Sequence, residues 1–329
     1  MLDRVLALTK SGQIKTSIAN ANTRFAISLG ALSTGRVVLA GISARVLLAC
    51  LTIAIRYGAQ RRQFGASGEP ESFILDYPLH QFRLMPYLAM VFGVNAASRQ
   101  IVSWWGEMRD SLFDPKNTRL TEVHAIISSF KSICTWYSFR GIQECREACG
   151  GHGYNAISLI GVHRNDLDIS QTWEGDNNVL LQQTSKYIAD CGQKLYKGKK
   201  LNSEVMAFLD VNPLDDKKAA LGDLDRFLDG AQFPKLGAAV LKAFEWRVNY
   251  LLQAAGMKIA GKIGDMKPLD AWNDTQPFYM RDMAIAFGEM LIVKFHLKDV
   301  LAFSFKDPTN QVGGSLSDSD VDAEHVPAQ

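Results

Sequence analysis

The chain has 329 residues, of which 47% are hydrophobic and 21% charged, and its formal net charge is +2. This balance is typical of a soluble globular protein with one large domain or two ordinary ones. The nearly neutral charge gives no electrostatic reason to expect nucleic acid or an acidic membrane as a partner.

The elements predicted along the chain are long helices, because apolar residues recur at steps of three and four. The helical segments are 24–58, 77–107, 118–148, 176–195, 235–263 and 275–303. No alternating strand pattern stands out, so we predict an all-α protein of long packed helices.

A charged, turn-rich stretch near 196–217 predicts a boundary between two helical domains. We place a lead-in at 1–23, a first domain at 24–197 and a second, shortened domain at 204–305. Residues 306–329 carry glycine, serine and acids with little apolar content, which is typical of a disordered tail.

The most apolar stretch is 37–55, and it is long enough to be considered as a membrane span. Arg45 lies at its middle, where a charge would be costly in a bilayer, so a helix buried in a bundle is favoured. The N-terminal Met1-Leu2-Asp3-Arg4 does not have the pattern of a signal peptide.

Five cysteines, an odd number, favour reduced thiols and an intracellular compartment. Cys145, Cys149 and His152 together could suggest a metal. Three ligands without a fourth nearby make a poor zinc site, so buried helical cysteines are favoured and no metal is predicted.

Three arginines and a glycine stop end the first predicted helix, in the run 56–65. One interpretation is a basic helix end favoured by the helix dipole. The other is a pyrophosphate clamp, since guanidinium groups match phosphate oxygens, with Phe64 stacked on an adenine.

A glycine-rich run at 143–154 places Gly150, Gly151 and Gly153 after a helical segment. Such glycines let the backbone come close to a ligand, although an ordinary helix end would have the same composition. A dinucleotide loop of the Rossmann type is disfavoured because no strand precedes the run.

The run 171–182 is the most informative part of the sequence. It places Glu174 beside Trp173, then Gly175, Asp176, Asn177 and Asn178, and an apolar helical pattern follows. The carboxylate could be a plain helix-start acid. It could also be a general base held on a turn, for which an aromatic ring would exclude water.

Order and spacing of these runs over about 24–190 resemble the acyl-CoA oxidases, flavoenzyme relatives of the acyl-CoA dehydrogenases, and most closely the branched-chain (pristanoyl-type) members. The resemblance is carried by Arg-Arg-Gln-Phe-Gly at 61–65, Tyr-Pro-Leu-His-Gln at 77–81, Glu-Ala-Cys-Gly-Gly-His-Gly-Tyr at 147–154, Arg-Asn-Asp at 164–166 and Trp-Glu-Gly-Asp-Asn at 173–177. It implies the C-terminal helical bundle of the acyl-CoA oxidase/dehydrogenase fold, followed by a second, shortened helical domain.

The resemblance also implies the roles of individual residues. Glu174 matches the base that removes the α-proton of an acyl-CoA, while the β-hydrogen leaves as hydride to FAD. Residues matched to FAD contacts are Arg61, Gln63, Phe64, His80, Gln81, Glu147, Gly150, Gly151, Asp176, Asn177 and Asn178. Residues matched to the substrate site are Ser33, Thr34, Gly35, Arg36 and Gly175.

Family members carry an N-terminal helical domain and a β domain before the matched region, so we expect this chain to bind free FAD poorly. Glu147 also stands where the dehydrogenases have glutamine. The family implies a homodimer, with the loop at Glu147–Gly151 reaching FAD across the interface, and a peroxisomal location without a Ser-Lys-Leu type ending. The alternative is an impaired, oxidase-like protein that acts as a dimerisation partner.

Overall fold

A computed structural model of the chain describes residues 7–16, 24, 33–109, 119–210 and 233–306. The predicted tail beyond Lys306 lies outside the described residues, and so do residues 211–232, which include the end of the predicted boundary stretch 196–217.

The described part of the chain is built from long α-helices, which confirms the predicted fold class. They are α1 (Ser33–Gly58), α2 (Pro78–Arg109), α3 (Leu120–Ala148), α4 (Gly150–Tyr154), α5 (Ile160–Asp168), α6 (Asn177–Tyr196), α7 (Phe233–Ala260), α8 (Pro268–Thr275) and α9 (Arg281–Lys306). The long helices follow the predicted segments closely, because apolar periodicity marks the face that each helix buries.

Short elements were not all predicted. Strands β1 (Ala7–Leu8) and β2 (Ile14–Lys15) pair in an antiparallel hairpin within the predicted lead-in at 1–23, where no strand was expected. Short 3-10 turns cover Ile74–Asp76, Ala156–Ser158, Ile169–Gln171 and Ala207–Asp210, and a π-helical turn covers Gln276–Met280. The two-residue strands are too short to produce a readable alternating pattern.

Helices α1 and α3 pack along each other and run in the same direction. Arg36 near the start of α1 reaches His124 near the start of α3, and Tyr57 near the end of α1 reaches His152 just beyond α3. Gly141 permits the close approach, since a Cβ there would lie 2.7 Å from Leu47 Cδ1. Helices α1 and α3 therefore run side by side from one end of the bundle to the other.

The C-terminal helices pack onto the same bundle. Ser129 Oγ on α3 donates to the carbonyl of Ala284 on α9 at 2.8 Å. Glu289 on α9 accepts from Tyr137 on α3 and from Arg247 on α7. One hydrophobic cluster joins Val37, Phe130 and Phe287, so α1, α3 and α9 share a core.

Helix α1 is long and apolar enough to cross a membrane by length and composition, since its most apolar 18-residue window has a mean hydropathy of 2.2. It is the one such helix among the described residues, and 44% of its most apolar window is buried. Arg45 is exposed, and the helix packs against α2 and α3. These contacts favour the predicted role as a core helix.

Candidate functional site

The turn that carries Glu174 lies directly before α6. Glu174 has a φ of 55° and Gly175 a φ of 114°, so both occupy conformations that side chains rarely adopt. Asp176 accepts hydrogen bonds from the backbone N–H groups of Asn178 at 2.9 Å and Val179 at 3.2 Å, and so caps α6. The cap sets the residue at which α6 begins, and the left-handed backbone at Glu174 sets the direction in which its side chain leaves the turn. We call residues 173–176 the Glu174 turn.

The carboxylate of Glu174 lies over the backbone of α1. A Cβ added at Gly35 would lie 2.7 Å from Glu174 Cδ and 2.7 Å from Oε1. Glu174 Oε2 is buried and has no hydrogen-bond partner. Among the described residues, none forms an ion pair with this carboxylate. A buried, unpaired acceptor is costly and is typical of a functional site.

Two buried cations bind the main chain of the Glu174 turn rather than its carboxylate. Arg36 is 5% exposed, and its Nε donates to the carbonyl of Glu174 at 2.8 Å. Lys131 is 0% exposed, and its Nζ donates to the carbonyl of Gly175 at 2.8 Å. Burial lowers the pKa of Arg36 and lowers the pKa of Lys131 to about 8. Sequence reasoning missed Lys131, although a single lysine within the otherwise uncharged run at 126–134 was the available signal.

Asn177 is part of the internal support and does not face a ligand. It is 1% exposed, its Oδ1 accepts from Lys131 Nζ at 2.9 Å, and its Nδ2 donates to Thr135 Oγ1 at 2.9 Å. The predicted contact of this side chain with FAD does not fit its burial. Asp176 and Asn178 are exposed, so their predicted contacts with FAD remain predictions.

Of the residues predicted to meet substrate at the start of α1, Ser33 and Arg36 are buried, Gly35 is half-buried and Thr34 is exposed. Ser33 is 1% exposed, and Thr34 Oγ1 accepts from Trp105 Nε1 at 2.9 Å. Arg36 is bonded to the Glu174 turn and to His124. Of these side chains, Arg36 supports the Glu174 turn, and Gly35 lies directly under the carboxylate. The predicted contacts of Ser33, Thr34 and Gly175 with substrate remain predictions. Trp173, predicted to exclude water, is 47% exposed and free to contact a bound group.

A groove of about 930 Å³ lies where α1, α2 and α3 end or begin. It brings together seven residues predicted to contact FAD: Arg61, Gln63, Phe64, His80, Glu147, Gly150 and Gly151. Residues of the lining that were not predicted include Tyr57, Tyr77, Arg83 and His152. Gln81 does not line the groove, and its amide donates to the carbonyl of Leu75 at 3.0 Å.

The neighbouring arginines Arg61 and Arg62 point in different directions. Arg61 lines the groove and donates to Gln63 Oε1 at 2.9 Å. Arg62 turns away, donates to the carbonyl of Glu71 at 2.8 Å and lies over the ring of Phe73. Of the arginines in this run, Arg61 therefore lines the groove and Arg62 does not, while Arg83 from α2 also lines it. The pyrophosphate clamp itself remains a prediction.

Glu147 places a negative charge in the groove, where one arginine and one amide contact it. Arg83 lies 3.5 Å from its Oε2, and Gln143 Nε2 donates to its Oε1 at 2.6 Å. Arg83 also pairs with Glu144 at 2.7 Å. Glu147 thus helps to orient Arg83 beside the groove.

The groove offers open backbone, an exposed aromatic ring and a buried histidine to a ligand. A Cβ added at Gly150 or Gly151 would meet no atom within 4 Å, so the backbone there is open to a ligand. Phe64 is 72% exposed and offers a ring for stacking. His80 Nε2 is buried without a partner, and burial beside Arg83 lowers the pKa of His80, which favours a neutral ring.

Cys145 and Cys149, considered as metal ligands, are 0% and 3% exposed. Burial raises the pKa of both thiols. Within the described ranges, no group of three or more histidines, cysteines or acids is placed to hold a metal ion.

Within one chain, the Glu174 turn and the groove lie at opposite ends of α1. Arg36 contacts the turn and Tyr57 lines the groove, so about 21 helical residues separate them. At about 1.5 Å per residue, this separation is roughly 30 Å. Fold and site together define an all-α protein with a buried, unpaired carboxylate oxygen at one end of α1 and an open groove at the other.

Comparison with known proteins identifies that class. The family model for the acyl-CoA oxidase C-alpha1 domain matches residues 29–189, and a second acyl-CoA oxidase model matches 237–316. Human peroxisomal acyl-coenzyme A oxidase 3 is 36% identical over 307 residues, which cover 90% of this chain and 43% of that protein. Acyl-coenzyme A oxidase 2, peroxisomal, of Arabidopsis thaliana is 35% identical over 83% of this chain and 39% of its own length.

Solved structures agree with this. Acyl-CoA oxidase-1 of Caenorhabditis elegans, complexed with FAD and ATP, superposes with a TM-score of 0.79 at 24% identity, over 91% of this chain and 42% of its own. Acyl-CoA oxidase 3 of Yarrowia lipolytica gives 0.75 at 29% identity, over 91% and 42%. The chain belongs to the acyl-CoA oxidase family. It spans about two fifths of the length of these relatives.

Proposed function

We propose that this chain takes part in the FAD-dependent oxidation of acyl-CoA thioesters to trans-2-enoyl-CoA, with dioxygen reduced to hydrogen peroxide. The observation that carries the proposal is the carboxylate of Glu174, with an oxygen that is buried and unpaired. A base for a weak carbon acid needs this combination of a fixed approach and a free lone pair.

Glu174 takes the α-proton of the thioester onto its carboxylate. Gly175, next in the turn, brings backbone close to the thioester carbonyl, where N–H groups stabilise the charge that develops as the proton leaves. FAD, when bound, would supply the acceptor for the β-hydrogen, which leaves as hydride, and the route by which its two electrons reach dioxygen. The protein's part is to bind, orient and exclude water.

Arg61, Gln63, Phe64 and His80 with Gly150 and Gly151 would hold the adenosine diphosphate part of FAD. Because the groove and the Glu174 turn are roughly 30 Å apart along α1, we infer that a homodimer completes each site. One protomer then supplies the carboxylate and its partner supplies the groove. Exposed Phe64, Leu79 and Phe82, each more than 70% exposed beside the groove, provide apolar surface for such an interface.

The peroxisomal names of the relatives support a place in peroxisomal fatty-acid β-oxidation. We also propose the domain bounds 24–197 and 204–305, which overlap the two matched family regions.

A purified sample tests the proposal. The chain, supplied with FAD and a panel of straight-chain and 2-methyl-branched acyl-CoA thioesters, is assayed for flavin absorbance, oxygen consumption and peroxide. Peroxide formation supports the oxidase. Flavin reduction without oxygen consumption would indicate a dehydrogenase instead. A folded, colourless dimer would favour the second candidate function, a non-catalytic partner of another oxidase.

A further inference from the structure

We propose that Lys131 is a positioning residue of the reaction: from inside the bundle it holds the Glu174 turn in the geometry that aims the carboxylate. The proposal rests on the proposed function. Lys131 is a charged side chain with no exposed surface, on a helix face that otherwise buries apolar and hydroxyl groups. Burying an ammonium group in that position costs free energy unless hydrogen bonds to acceptors compensate for the lost water.

Its two donated hydrogen bonds flank the residue that caps α6. Nζ donates to the carbonyl of Gly175 at 2.8 Å and to Oδ1 of Asn177 at 2.9 Å. Asn177 is in turn fixed by Thr135 Oγ1 at 2.9 Å. The ammonium therefore joins the turn before α6 to the first residue of α6, and α3 supports both.

The bond to the Gly175 carbonyl also sets the direction of a backbone donor. In a planar trans peptide the carbonyl and the next N–H point in opposite directions. Since Arg36 binds the Glu174 carbonyl and Lys131 binds the Gly175 carbonyl, the N–H groups of Gly175 and Asp176 are directed away from the two cations. Both peptides of the turn are thereby oriented by buried charges.

The same arrangement leaves the carboxylate free. Lys131 interacts electrostatically with Glu174 and Asp176, yet it forms no ion pair with Glu174. A lysine directly bonded to the carboxylate would occupy the lone pair that must take the proton. By binding carbonyl oxygens instead, Lys131 stabilises the left-handed backbone at Glu174 without blocking its chemistry.

The test compares Lys131→Met, which keeps the length and removes the donors, with Lys131→Gln, which keeps a donor without the charge. Ile127→Val, one turn earlier on the buried face of α3, is the control for a damaged core. Amide hydrogen exchange of the peptide covering 172–178 is measured together with thermal unfolding, kcat and KM.

We expect faster exchange at the turn in Lys131→Met, and a kcat lower by about a hundredfold with little change in KM, since a misplacement of about 1 Å costs that much. Lys131→Gln should be intermediate, and Ile127→Val should lower thermal stability without changing exchange at the turn. A folded Lys131→Met with normal exchange and normal kcat overturns the proposal. If Lys131→Met does not fold, the same comparison on Lys131→Gln decides it. If the wild-type chain makes no peroxide, the proposed function fails. Hydrogen exchange at 172–178 still tests whether Lys131 holds the Glu174 turn.

Discussion

At the scale of single residues, the site depends on a contact between a carboxylate and a glycine. Glu174 can lie over α1 only because Gly35 has no side chain, and its backbone can turn there because two buried cations hold the adjacent carbonyl groups. The left-handed backbone at Glu174 is therefore stabilised by hydrogen bonds from Arg36 and Lys131, which lie outside the turn.

Substituting Gly35 by alanine tests that contact. The new Cβ would lie 2.7 Å from Glu174 Cδ, so the carboxylate must move, and we expect a large loss of peroxide formation with a folded protein. Gly256→Ala on α7, where a Cβ meets nothing within 4 Å, is the matched control and should keep full activity. Equal activity in both variants would show that the position of the carboxylate over Gly35 is unimportant.

Lys131 should also give the protein a pH-dependent stability. Its pKa is lowered from 10.5 to about 8, chiefly by burial and then by Arg36, against the attraction of Asp176 and Glu174. At a pH between the folded and unfolded pKa values, Lys131 is protonated in the unfolded chain and neutral in the folded one. The unfolded state then binds more protons, so the free energy of unfolding should rise with pH from about 8 to about 10.

Relative to Lys131→Met, which lacks this group, the rise should be up to about 3 kcal/mol. Urea unfolding of both proteins across that pH range measures it. Parallel curves would mean that the lysine is not held in a low-dielectric site.

At the scale of helices, close packing depends on where side chains are missing. A Cβ at Gly288 on α9 would clash with Ile133 and Ser129 of α3, so the glycine is needed for α9 to pack at this distance. The same contact lets Ser129 bond to the Ala284 carbonyl.

Gly288→Ala should therefore destabilise the protein by about 1–3 kcal/mol through overpacking. Gly256→Ala, in an open helical position, should be neutral or stabilise by up to about 1 kcal/mol. Urea unfolding compares the two, and a stable Gly288→Ala would contradict the packing of α9 on α3.

The sequence predicted the long helices well because each buries one face, and burial at helical spacing is visible as a pattern. It also singled out Glu174 and seven residues that line the groove, since each lies in a short motif that is visible in the sequence. It could not show that Arg62 turns away from the groove, that Asn177 is internal, or that Lys131 lies under the Glu174 turn. Those facts depend on which helices pack against each other. The spacing of residues within one helix does not reveal such contacts. The hairpin at Ala7–Lys15 was missed because two-residue strands leave no periodicity.

At the scale of the whole molecule, helix α1 separates the two halves of the site. If a pair of chains completes each site, two inactive variants should complement each other. Glu174→Gln removes the base, and Arg61→Glu disrupts the groove of the other half.

Randomly paired chains would restore about a quarter of wild-type activity, because half of the dimers are mixed and each mixed dimer has one intact site. Peroxide formation by the co-expressed variants measures this. If each site were built within one chain, the mixture would stay inactive.

The central claim is that Glu174 is aimed as the base for the α-proton. The most direct measurement is peroxide formation from acyl-CoA by FAD-loaded Glu174→Gln, with flavin content measured in the same sample. The account predicts retained flavin and a turnover reduced by several orders of magnitude. Peroxide formation at the wild-type rate would contradict it.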